Sequence, residues 1–120
     1  MKKSLLLAAL LLSSAAQAEI WVCNQLAGSS VQVSGDHISD GGIGYEGETY
    51  IIDSDQGFRS SDSDEYIGNC IKNTEFIRCA TLSSGSESTL IIDTAKSTFV
   101  NMLAVYDWFA NAGSGNCVKV

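Results

Sequence analysis

The sequence predicts an all-β protein, a duplicated β-meander closed into a small disulfide-bonded sandwich or barrel. Three observations carry that expectation. The chain beyond residue 18 is rich in Ser, Thr, Gly, Val and Ile, contains no proline and lacks long runs of Ala, Leu, Lys and Glu. Such a composition favours strands joined by polar turns. It carries four cysteines. Three short residue blocks also recur in the same order, the signature of an internal repeat.

The N-terminal segment has its own logic. Lys2 and Lys3 precede an apolar Leu/Ala run, Leu5 to Leu12, and Ala16-Gln17-Ala18 ends it with small residues. This is the layout of a cleavable secretory signal over residues 1–18. The run is far shorter than the roughly 20 residues a membrane-spanning helix needs. The expected location is therefore periplasmic or secreted, with no membrane insertion. Cys23 lies beyond the new N-terminus, Glu19, which argues against a lipid anchor there.

Residues 19–120 then form a single domain by length. The net charge of −7 becomes −9 once the two lysines are removed. A chain this acidic is repelled by nucleic acid and by anionic membrane, and suits a protein partner with a basic surface.

The repeated blocks define the elements. Glu19-Ile20-Trp21-Val22-Cys23 matches Glu75-Phe76-Ile77-Arg78-Cys79. Thr49-Tyr50-Ile51-Ile52-Asp53 matches Thr89-Leu90-Ile91-Ile92-Asp93, and each is followed by a phenylalanine, Phe58 or Phe99. Gly68-Asn69-Cys70-Ile71-Lys72 matches Gly115-Asn116-Cys117-Val118-Lys119. The copies run over 19–73 and 74–120. Each middle block reads as a hairpin whose Asp opens the turn and accepts backbone N–H bonds there. The Gly-Asn-Cys block reads as a turn feeding a last strand.

The copies differ in two places. Between Cys23 and Thr49 lie 25 residues, against 9 between Cys79 and Thr89. The excess holds Val31-Gln32-Val33, a turn at Gly35-Asp36 and a glycine-rich loop at 41–44, which reads as an added hairpin. Between Phe99 and Cys117 lie 17 residues, against 11 between Phe58 and Cys70. This second insertion carries Tyr106-Asp107-Trp108-Phe109. Phe99, Met102, Leu103, Tyr106 and Ala110 have helical spacing, so a short helix near 106–112 competes with the extended strand that the repeat favours. Function is expected where the copies disagree, in 28–47 and 100–112.

In an exported chain four cysteines imply two bridges. If each copy closes on itself, Cys23 pairs with Cys70 and Cys79 with Cys117. The competing scheme is Cys70–Cys79 with Cys23–Cys117.

No catalytic constellation stands out, and a non-enzymatic, cofactor-free protein is expected. His37 is the lone histidine, beside Asp36, and there is no Gly-x-Ser-x-Gly elbow. Asp53, Asp55, Asp62 and Asp64 place oxygen donors at alternate positions, as calcium sites do. Their order departs from the EF-hand, and Asp93 repeats Asp53 without any match to Asp55, so a turn role accounts for both. Zinc needs ligand pairs that are missing here.

The remaining candidates are Tyr106, Trp108 and Phe109. They either fill the core, the favoured reading, or anchor a partner, since aromatic side chains dominate interfaces. The function class that follows is a protein-binding module. Trp21-Val22-Cys23 with Ser30-Val31-Gln32-Val33, and Ser63-Asp64-Glu65-Tyr66, resemble parts of the small periplasmic inhibitors of c-type lysozyme. The resemblance stops at those segments and does not include the duplication. It implies, as the alternative, inhibition of a basic hydrolase.

Overall fold

The computed structural model describes residues 18–34, 37–43 and 47–120. The export segment, the Gly35-Asp36 turn, the His37 side chain and Gly44 lie outside the described residues. Among the described residues nine strands follow in order: β1 (Ile20–Ser34), β2 (His37–Ile43), β3 (Thr49–Asp53), β4 (Gly57–Ser60), β5 (Asn69–Lys72), β6 (Phe76–Ser83), β7 (Ser86–Asp93), β8 (Thr98–Val105) and β9 (Phe109–Lys119). All neighbouring strands are antiparallel. The fold class is all-β, as the composition and the blocks predict.

The sheet runs β4-β3-β1-β9-β8-β7-β6-β5, with β2 beside the far half of β1. Its two ends meet at a seam where Phe58 and Ile67 exchange backbone bonds of 2.9 and 2.8 Å. The result is a nearly closed barrel, which leaves few unpaired edges.

The order has a hidden period. Its first four strands, β4-β3-β1-β9, match the last four, β8-β7-β6-β5, block for block. The last strand of each copy therefore pairs with the first strand of the other. Several bonds repeat under this exchange. The Val120 amide donates to the Ile20 carbonyl at 2.9 Å and the Asn73 amide to the Phe76 carbonyl at 3.0 Å. Ser54 donates to the Glu19 carbonyl at 3.0 Å and Thr94 to the Glu75 carbonyl at 3.2 Å.

The exchange overturns the expected disulfides. Cys23 bonds Cys117 and Cys70 bonds Cys79, with Cα atoms 4.0 Å apart in each. Both pairs stand directly opposite one another across neighbouring strands. Within one copy the first and last strands are not neighbours: β3 and β4 separate β1 from β5, and β7 and β8 separate β6 from β9. The expected Cys23–Cys70 and Cys79–Cys117 partners therefore lie too far apart around the barrel to bond.

Matching positions build the core. Trp21 and Ile77, Ile52 and Ile92, Phe58 and Phe99 are buried together with Leu90 and three of the four cysteines, and Tyr50, the counterpart of Leu90, packs against them. The inward rows follow the period of two that strands impose. Burying each of the large aliphatic side chains contributes about 1.5–3 kcal/mol.

The blocks' small residues are explained by crowding. A Cβ on Gly115 would collide with the Asn24 carbonyl and stand 2.8 Å from the Phe99 ring. On its counterpart Gly68 it would stand 2.7 Å from the Ala80 carbonyl and 2.9 Å from the Phe58 ring. The phenylalanine of each copy lies over the glycine of the strand beside it, and nothing larger fits.

The segment around 106–112 is extended. β8 and β9 form a hairpin whose turn is Tyr106-Asp107-Trp108, closed by a 3.2 Å bond from the Trp108 amide to the Val105 carbonyl. The helical alternative does not occur: Phe99, Asn101, Leu103 and Val105 share the inner face, while Met102 lies on the other.

Candidate interaction surface

The repeated blocks account for one end of the barrel and the insertions for the other. β3 pairs only with residues 20–24 of β1, and β5 only with residues 77–80 of β6. Beyond those limits β1, β9, β8 and β7 continue as an open sheet, with β2 added to the side of β1. The two insertions, distant in sequence, lie side by side there. Val31 faces Ala110 and Ser30 faces Asn111 across β1 and β9. The Val33 amide donates to the Trp108 carbonyl at 2.7 Å.

A polar layer separates this end from the core. Gln25 is buried, and Asn101 Nδ2 reaches the Tyr50 hydroxyl at 3.1 Å and Gln25 Oε1 at 3.4 Å. Beyond it the inner face is mixed: Ser30, Ser88 and Asn111 alternate with the half-buried Leu103, Val105 and Phe109.

The outer face here carries a cluster of apolar residues. Val31, Met102, Ala104, Ala110 and Ala112 all face outward and are exposed. Met102 is 56% exposed and Val31 45%. With Glu87 they line an apolar groove of about 400 Å³ across β1, β9, β8 and β7.

The hairpin tip stands clear of both faces. Tyr106 is 84% exposed and Trp108 61%. Phe109 is half-buried and meets the Trp108 ring edge to face at 4.7 Å. Core filling, the favoured sequence reading, thus fails for Tyr106 and Trp108. Phe109 serves as their support. Asp107 turns the chain in the left-handed region at φ 55°, a conformation Asp tolerates better than most residues.

The acidic candidates separate. Asp53 is buried, and its Oδ1 accepts the amides of Asp55 at 2.9 Å and Gln56 at 3.2 Å. Its Oδ2 accepts Gln56 Nε2 at 3.1 Å. Asp93 Oδ1 likewise accepts the amides of Ala95 at 3.1 Å and Lys96 at 3.0 Å. Both aspartates hold turns, as the repeat suggests. Among the described residues no cluster of His, Cys, Asp and Glu gathers around a cation position, so Asp55, Asp62 and Asp64 are not brought onto Asp53.

The Ser63–Tyr66 segment lies at the seam, away from the tip. Arg59 Nη1 donates to the Ser63 carbonyl at 2.7 Å, and its guanidinium sits 5.2 Å from the Tyr66 ring. At the opposite end of the barrel Glu19 ties three strands: Lys119 Nζ lies 3.1 Å and Lys72 Nζ 3.6 Å from its carboxylate. The Lys119 hydrogen bond, with help from the Trp21 indole and Lys72, holds the Glu19 carboxyl below the usual range despite an opposing push from burial.

Among the described residues no helix is long and apolar enough to cross a membrane. Both cysteine pairs are oxidised, which is compatible with an oxidising compartment. No family model matches the sequence, and comparison with curated proteins and with solved structures returns no match.

Proposed function

We propose that this protein is a non-enzymatic protein-binding module of the periplasm or extracellular space, and that it engages its partner through the end built from the two insertions. One observation carries the reading: two large aromatic side chains, Tyr106 and Trp108, stand exposed on a hairpin tip. Exposed aromatic residues on a rigid support are the usual anchors of interfaces, because they bring much area at little entropic cost. Phe109 and the Val33–Trp108 bond supply the support.

The test is a pull-down from periplasmic extract using the wild-type protein and the Tyr106→Ala/Trp108→Ala double variant as baits. A protein retained by the first and lost by the second is the expected outcome. Identical sets on both baits would count against the reading.

The alternative, inhibition of a basic hydrolase such as c-type lysozyme, draws on a different segment. Arg59 braces Ser63 and Tyr66 and leaves Asp64 and Glu65 exposed, acidic residues of the kind a basic enzyme would attract. A lysozyme lysis assay separates the two. Inhibition that survives the tip double variant and is lost in Asp64→Asn/Glu65→Gln favours the seam loop over the tip.

A further inference from the structure

We propose that the outer-face groove over β1, β9, β8 and β7 is the second half of this interaction surface, and that it receives a cationic, apolar segment of the partner protein. The proposal rests on the binding-module reading and adds to it where the partner lies and what its chemistry is.

Exposed apolar side chains also face outward on the barrel, Ile71, Val100 and Val118 among them. In the groove they flank a run of alanines and so enclose a depression. Ala104, Ala110 and Ala112 form a floor between the larger Val31 and Met102. Alanine on neighbouring strands leaves a depression into which an opposing side chain can seat, at no cost in its own rotamer entropy. The tip rises at one end, so a segment lying in the groove also meets Tyr106 or Trp108.

Charge selects the occupant. The described segments that reach past the barrel, 25–34, 37–43, 47–48, 81–89 and 100–114, contain Asp40, Glu48, Glu87 and Asp107 and no lysine or arginine. The cations beyond residue 18, at positions 59, 72, 78, 96 and 119, all belong to the other end. Glu87 lies at the groove itself. A second copy would bring like charges together, and an anionic lipid or nucleic acid would be repelled in the same way. A cationic protein segment gains attraction on approach and covers the apolar floor once docked.

The experiment is an NMR titration of the isotope-labelled, disulfide-intact protein. The probe is a short synthetic peptide alternating Lys with Val, and its twin alternates Glu with Val. The Lys peptide is expected to shift amides of Met102, Ala104, Ala110 and Ala112 and the Trp108 indole. Its binding should weaken as salt rises, and the Glu twin should have no effect. Met102→Lys, at an exposed position, should weaken binding about tenfold, and Glu87→Gln about threefold with a smaller salt dependence.

Shifts confined to the tip would overturn the groove while leaving the binding-module reading intact. Equal binding of the twin would overturn the charge assignment. Equal shifts around Asp55, Asp62 and Asp64 would mark the effect as nonspecific and overturn it as well. No shift at millimolar peptide would overturn the groove, and the pull-down still judges the tip. Sedimentation showing a dimer that Met102→Lys dissociates would replace the cationic segment with a second copy.

Discussion

The two copies share their blocks and differ in how they end. In the second copy the last two strands, β8 and β9, pair over eight residues each and close in an aromatic turn. In the first, the equivalent β4 and β5 meet only through Phe58 and Ile67, and the chain between them is held by Arg59. The first copy instead spends its extra residues on the β1–β2 hairpin. Shared blocks thus build one closed end with a core, and unshared residues build one open end with an exposed apolar face. The core is thus built from what the copies have in common, and the interface proposed above from what they do not.

The strongest test of that division is at the disulfides. Cys23–Cys117 spans a sequence separation of 94 and Cys70–Cys79 one of 9. On the chain-entropy model, removing the first by paired Cys→Ala changes should cost about 4.7 kcal/mol and the second about 2.6 kcal/mol. Urea unfolding of the two variants measures the gap. Equal losses, or a peptide joining Cys23 to Cys70 in a non-reducing map, would break the strand exchange.

Next come the matched core residues. Ile52→Ala and Ile92→Ala should each cost about 3 kcal/mol, because both are fully buried at equivalent positions. Met102→Ala, on the open face, should stay within about 0.5 kcal/mol. A core-sized loss at Met102 would show that the open end is part of the stable unit.

The turn aspartates sharpen the comparison. Asp53→Ala should cost about 2 kcal/mol and Asp93→Ala about 1 kcal/mol, since only Asp53 is buried with an added side-chain bond from Gln56. Thermal unfolding at neutral pH measures both.

The smallest effect concerns Glu19. Its carboxyl is held below its ordinary value of 4.5, chiefly by Lys119. A depressed carboxyl contributes stability that is present above the unfolded value and is lost as pH falls through the folded one. The Glu19→Gln variant should therefore be less stable than wild type at neutral pH, with the difference fading below about pH 4.5. A difference that persists unchanged into acid would assign the effect to packing.

What the sequence shows of this fold follows from what is local. The Asp53 and Asp93 turns and the Ile-Ile strands each declare themselves within a few residues, whereas the Gly-Asn-Cys blocks, expected as turns, lie at the start of β5 and inside β9, where their glycines make room for a phenylalanine ring. The strand exchange does not declare itself locally. A repeat establishes that Cys23 corresponds to Cys79, but the same local patterns fit a copy that closes on itself and a copy that lends its last strand. The register across β1 and β9 is a tertiary fact. The tip aromatics were legible as candidates, though core and surface could not be told apart because Phe99–Ala110 carries helical and strand spacing at once. The groove residues Ala104, Ala110 and Ala112 were missed. Their one signal is a phase: Met102-x-Ala104 is out of step with Phe99-x-Asn101-x-Leu103, which puts apolar residues on both faces of one strand.

The exchange also sets the order in which the molecule can assemble. β1 is the first strand of the chain and finds its longest partner in β9, the last. Every hairpin from β3–β4 to β8–β9 can form early from neighbours, yet the sheet stays open until the C-terminus arrives. Pairing across such separations is slow, because loop closure precedes any gain from contact. Closing β1 onto β9 should therefore be slower than forming the hairpins, and a chain shortened by β9 should leave β1 paired with β2 and β3 alone and Cys23 without its disulfide partner.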